Sequence, residues 1–93
     1  MPAAIALLHP GDMGAGMGTA LAAAGHSMYC ALEGRSATTR ARAAKAKLID
    51  VGSLPAAVAK ADIVLSVCPP HGALDLARQV AKTGFKGLYI DAN

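Results

Sequence analysis

Large rings are nearly missing from this chain: of its 93 residues 54% are hydrophobic, but only 3% are aromatic, with one Phe, two Tyr and no Trp. The apolar mass is Ala, Leu, Val and Ile, which suits small helices packed closely on a sheet better than a deep aromatic pocket. Charge is also sparse, at 16% of residues, and the net charge is only +3. Five of the nine positive charges fall within thirteen residues, at Arg35, Arg40, Arg42, Lys45 and Lys47. One basic helix without a stacking ring beside it argues against a nucleic-acid surface. The two cysteines, Cys30 and Cys68, sit in apolar segments without metal-ligand spacing and read as buried, reduced thiols, so no metal site is expected. No apolar run reaches the roughly 18 residues of a spanning helix, and Met1–Leu8 lacks a positive start, so a cytoplasmic protein is expected. A chain of this size makes one small domain that buries about 60 to 65% of its unfolded surface.

The chain is organised around the stretch from Ile5 to Met17. Ile5–Leu8 is apolar and runs into His9, Pro10 and Gly11, where a strand must stop and turn. From Met13 the residues are small and apolar, with Met13, Met17, Leu21 and Ala24 on one helical stripe, and Gly25 closes the helix. A strand, a glycine turn and a helix start aim backbone N–H groups and a helix dipole at one spot, which suits a phosphate. Gly16 and Gly18 inside that helix each cost about 1 kcal/mol of helix propensity, which makes sense if the backbone comes close to a sheet or a ligand.

Downstream, strand and helix signals alternate. Strands are expected at 28–32, 48–51, 63–68 and 88–90. Ser36 caps a helix running to Lys47 with Ala37, Ala41, Ala44 and Leu48 as its stripe, and Ser53 with Pro55 opens a helix over 54–60. After Pro69-Pro70, a helix over 72–83 has Ala73, Leu74, Ala77, Val80 and Ala81 as its stripe. Ile63–Cys68 is an almost unbroken apolar run, the pattern of a strand buried on both faces. The class is α/β: a Rossmann-type, doubly wound parallel sheet of five strands with helices on both faces, three layers in all. The first and fourth strands lie centrally, and His9–Gly14, Val67–His71 and Asp91–Asn93 reach the crevice at their C-terminal ends.

The run His9-Pro10-Gly11-Asp12-Met13-Gly14-Ala15-Gly16-Met17, then Leu21 and Ala24-Gly25-His26, resembles the N-terminal cofactor domain of the β-hydroxyacid dehydrogenase superfamily, whose opening reads Gly-x-Gly-x-Met-Gly-x-x-Met and then Ala-Gly-His. Ala61–Ser66, Pro69-Pro70 and Tyr89–Asn93 extend the similarity over essentially the whole chain. Gly34-Arg35-Ser36 and Asp91-Ala92-Asn93 resemble the branch described as 6-phosphogluconate dehydrogenase-like, NAD-binding. The resemblance implies a dinucleotide cofactor, with Gly11 at the pyrophosphate, Gly14 packing helix on strand, and His9, Pro10, Asp12 and Met13 in the same loop. The chain departs from the pattern at the first glycine, which is His9 here, either a turn residue at the crevice rim or a direct ligand contact.

An acid about twenty positions past the glycines selects NAD through the ribose 2′-OH, whereas an arginine accommodates the 2′-phosphate of NADP. Spacing puts Glu33 in that place, and the motif puts Arg35 there. Ser36 with its helix N-terminus, Thr39 and Arg40 supply further donors, so NADP is preferred while NAD stays open. Cys68, Pro69 and Pro70 would border the nicotinamide-side ribose and pyrophosphate, and His71 would cap or line the rim. Asn93 stands where the dehydrogenases carry a substrate-holding serine.

In that family the catalytic lysine and most of the substrate pocket lie in a helical second domain beyond this stretch, so no catalytic residue is expected in 1–93. The reading is the cofactor-binding module of an NAD(P)-dependent oxidoreductase acting by hydride transfer on a small hydroxy acid or related substrate, inactive by itself. The alternative is a non-catalytic dinucleotide-binding or sensor domain. An exposed last strand would be an adhesive edge able to drive homodimerisation.

Overall fold

The computed structural model describes residues 3–8, 12–67 and 70–91, the side chains of 12–15, 70, 71 and 73 excepted. The elements run β1 (Ala4–Leu8), α1 (Asp12–Ala23), β2 (Ser27–Cys30), α2 (Ala37–Lys45), β3 (Ile49–Asp50), α3 (Leu54–Lys60), β4 (Ile63–Ser66), α4 (Pro70–Lys82) and β5 (Leu88–Asp91). The strands form one parallel sheet in the order β3-β2-β1-β4-β5. This is the doubly wound arrangement expected from the alternating pattern, with β1 and β4 adjacent and the winding reversing between them.

Side chains alternate across the central strands and build two cores. Ile5, Leu7, Met28, Cys30 and Leu65 face one side and bury Ala43, Ala46 and Leu48, with Met17 and Leu21 of α1 packed on them. Ala6, Leu8 and Val64 face the other and meet Ala57 and Val58 of α3 and Leu76 and Val80 of α4. Gly18 lets α1 lie close to the sheet: a Cβ there would stand 2.7 Å from Leu48 Cδ2 and 3.0 Å from Leu7 Cδ2.

Two helices turn to the core a face that only partly matches the expected one, Leu48 after α2 and Val80 of α4 being buried as expected. In α2, Ala37, Ala41 and Ala44 are exposed while Ala43 is buried, with Thr39 half-buried one turn before it. The stripe of Ala37, Ala41 and Ala44 offers only methyl groups and Ala43 offers one on another side, so docking against Leu48 and Met28 selects the face. In α4, Leu76 is buried and Leu74 is 63% exposed. Two residues apart is about 200° around a helix, so only one of the pair can reach the sheet.

Helix α2 also stops at Lys45 rather than Lys47. Lys47 takes the left-handed φ of 62° that glycine usually supplies after a helix. Its N–H donates to the Ala44 carbonyl and the Leu48 N–H to the Ala43 carbonyl, at 3.1 and 3.0 Å. That pair of bonds is a Schellman closure, with buried Leu48 packed against the same helix end. Strand β2 ends at Cys30, two residues before its expected limit, because the chain from Ala31 turns away from the ladder.

Candidate functional site

The carboxyl ends of β1 and β4 meet where Leu8 pairs with Ser66, and the Val67 N–H donates to the Leu8 carbonyl at 3.4 Å. Ser66 is fully buried beneath this junction. Helix α1 starts at Asp12, soon after β1, and α4 starts at Pro70, soon after β4. Both helices thus present their N-terminal, positive dipole ends at the same edge of the sheet. His9, Pro10, Gly11, Cys68, Pro69 and Asn93 lie outside the described residues, as do the side chains of Asp12, Met13, Gly14, Pro70 and His71.

The other arm of the site is the loop from Ala31 to Ser36, where the chain leaves β2. The Arg35 N–H donates to the Leu32 carbonyl at 2.9 Å, closing a four-residue turn. Gly34, with φ of +75°, stands third in it, and Glu33 before it has negative φ, the combination a type II turn requires. Glu33 and Arg35 therefore flank Gly34 on a single turn. Both line a cavity of about 350 Å³, together with Leu8, Ala31, Gly52 and Gln79. Glu33 and Arg35, the acid and the base expected to compete over cofactor preference, thus share one hollow beside the end of β1.

Ser36 is the N-cap of α2, its hydroxyl oxygen accepting the Thr39 N–H at 3.2 Å. Arg40 is engaged by the loop itself. One terminal nitrogen donates to the Leu32 carbonyl at 2.8 Å, Nε donates to the Arg35 carbonyl at 3.4 Å, and the other terminal nitrogen lies 3.9 Å from Asp50 Oδ2. Asp50 Oδ1 accepts the N–H groups of Leu32 and Gly52 at 3.2 and 2.8 Å. The sequence singled out Arg40 but not Asp50: in a two-residue edge strand no periodicity marks it, and its role depends on β3 lying beside the β2 exit. Cys30, at the end of β2, is a buried free thiol whose pKa burial, aided by the Asp50 charge, raises from 9.0 to about 11.

A larger cavity, about 860 Å³, lies between α3 and α4 and extends toward Asp62, Phe85 and Lys86. It opens toward the amino ends of β4 and β5, away from the crevice where open α/β sheets bind ligands. The smaller hollow is the one joined to the strand ends.

A family model described as NADP oxidoreductase, coenzyme F420-dependent, matches residues 4–92. The chain belongs to that family. As an NADP oxidoreductase family domain it matches two solved structures. One is a conserved protein of unknown function described as structurally similar to 3-hydroxyacid dehydrogenases, with a TM-score of 0.85 and 25% identity over 94% of this chain. The other is 3-hydroxyisobutyrate dehydrogenase of Mycobacterium tuberculosis with L-serine, with a TM-score of 0.78 and 29% identity over 99% of this chain. The family domain spans about a third of each, 33% and 32% of their lengths. No curated protein matches the chain. The family and both structures agree with the N-terminal dinucleotide-binding domain that the glycine turn indicates, and they support a nicotinamide dinucleotide as its cofactor class. Among the described residues no helix is long and apolar enough to cross a membrane, and no group of three or more His, Cys, Asp or Glu could hold a metal ion.

Proposed function

We propose that residues 1–93 form the NADP-preferring, dinucleotide-binding domain of an oxidoreductase that transfers hydride to or from a small hydroxy acid or related substrate. The observation that carries the reading is the shared turn of Glu33 and Arg35 beside the end of β1, lining one cavity. The donor set fits a phosphorylated ribose: a guanidinium, the hydroxyl of Ser36 and the N-terminal end of α2 lie next to one another in sequence. Arg35 meets the 2′-phosphate, Glu33 the ribose hydroxyls, and Ser36 holds the α2 terminus in place. Thr39 and Arg40 support that arm. His9, Pro10, Gly11, Asp12, Met13 and Gly14 form the pyrophosphate loop, and Cys68, Pro69 and Pro70 border the nicotinamide side. The cofactor, when bound, supplies or accepts the hydride. Asn93 orients the substrate, and the proton-transfer group and the rest of the substrate pocket come from a further helical domain.

A second reading is a non-catalytic dinucleotide-binding or sensor domain, which the same turn beside the end of β1 would serve equally well. Titration with NADPH and NADH, followed by thermal unfolding, tests the proposal, since binding to the folded state raises apparent stability by mass action. NADPH should raise the Tm at lower concentration than NADH does, and a chain that responds to neither refutes nucleotide binding. Turnover by the full-length protein separates the two readings.

A further inference from the structure

We propose that Asp50 is a positioning residue for cofactor choice: with Arg40 it clamps the Leu32–Arg35 turn and thereby decides whether Arg35 or Glu33 addresses the nucleotide. The inference rests on the nucleotide-binding reading above.

The clamp converges on Leu32. Its side chain is buried, its N–H is taken by Asp50, and its carbonyl accepts from both Arg40 and the Arg35 N–H. Backbone bonds continue the seam: Val51 N–H donates to the Cys30 carbonyl and Glu33 N–H to the Gly52 carbonyl, both at 3.0 Å. Asp50 also fixes the far side of the seam through the Gly52 N–H. Gly52 and the turn both line the cavity, so one carboxylate holds two of its walls in register.

The middle of the turn is its exposed part. Glu33 and Gly34 are exposed, and a glycine at its third position leaves the peptide free to rotate. Because Glu33 and Arg35 lie on either side of that glycine and both line the cavity, the orientation of the turn sets how far each charged group reaches into it. An exposed ion pair adds little stability by itself. The two backbone N–H groups held by a charged acceptor are the stronger restraint.

The test compares the wild-type full chain with Asp50→Ala, Asp50→Asn and Arg40→Gln, measuring Kd for NADPH and for NADH together with amide hydrogen exchange. Asp50→Ala should lower the preference for NADPH over NADH at least fivefold and speed exchange at the Leu32 and Arg35 amides at least tenfold, with the α3 amides unchanged. Asp50→Asn keeps an acceptor oxygen and should retain most of the preference. Arg40→Gln loses the bonds to two loop carbonyls and should lower the preference at least threefold, which keeps the test available if Asp50→Ala does not fold. A preference unchanged within twofold in Arg40→Gln and in any folded Asp50→Ala overturns the clamp, as does an equal loss for both nucleotides. A wild-type chain that binds neither nucleotide overturns the nucleotide reading, and the clamp's role in choosing a cofactor falls with it.

Discussion

Gly18 in α1 is packed against Leu48, so closely that a Cβ at residue 18 would approach Leu48 Cδ2 to 2.7 Å. Gly16, two positions earlier in the same helix, faces open space. Alanine should therefore have opposite effects at the two sites. Gly16→Ala gains up to about 1 kcal/mol of helix propensity. Gly18→Ala gains the same propensity but overpacks Leu48 and the fully buried Leu7, at about 1–3 kcal/mol. Thermal unfolding should show a higher Tm for Gly16→Ala and a lower one for Gly18→Ala, with each 1 kcal/mol worth about 4–8 °C in a domain of this size. A rise in both would mean that Leu48 and Leu7 give way freely.

The face that α4 turns to the sheet can be checked with one pair of variants. Leu76→Ala should destabilise by about 2–5 kcal/mol, because it empties a site against Ala6, Leu8 and Val64. Leu74→Ala should change stability by no more than about 0.5 kcal/mol, since Leu74 is mostly in solvent. Urea unfolding of the two proteins decides, and equal losses would contradict the orientation.

Cys30 links stability to alkaline pH. Its thiol ionises near 9.0 in an unfolded chain and is held up to about 11 in the fold, first by burial and then by the Asp50 charge. Between those values the folded state binds more protons than the unfolded state, so stability falls as pH rises. The contribution is fully present below about pH 9 and lost by about pH 11, at about 1.4 kcal/mol per pH unit at most. Urea unfolding from pH 8 to 11 should give a steeper decline for wild type than for Cys30→Ala, and parallel declines would refute it. At neutral pH the same burial should keep the Cys30 thiol unreactive toward alkylating reagents until the protein unfolds.

For the proposed site, Arg35→Ala should weaken NADPH binding at least tenfold and leave NADH nearly unchanged. A 2′-phosphate loses a charged, bidentate partner, whereas a 2′-hydroxyl loses none. Isothermal titration with both nucleotides reads the effect. Equal losses would mean that Arg35 supports the turn rather than the phosphate.

Much of this domain follows from local pattern. The apolar strand at Ile5–Leu8, the serine caps of α2 and α3 and the apolar run at Ile63 each state a local preference that the fold keeps. Element order and the absence of long loops then force parallel strands and crossovers. Helix faces were less legible. In α2 the only apolar side chains are single methyl groups, on more than one side, and in α4 two leucines compete for one sheet, so hydrophobicity alone does not rank the faces.

The candidate site divides the same way. Glu33, Arg35 and Ser36 could be picked out because a strand end, a glycine and a helix cap occur together in a few residues. Asp50 could not, because it joins that loop only when β3 aligns beside β2, pairing Cys30 with Asp50 across the sheet. The sequence by itself determined the α/β alternation, the caps and the polar turn after the second strand, since these depend on neighbours within a few positions. Only the tertiary structure decided which side of α2 and α4 is buried, that Gly18 is the helix glycine pressed on the sheet, and that Asp50 and Arg40 hold the turn. Those contacts join residues brought together by sheet order, and chain spacing carries no information about them.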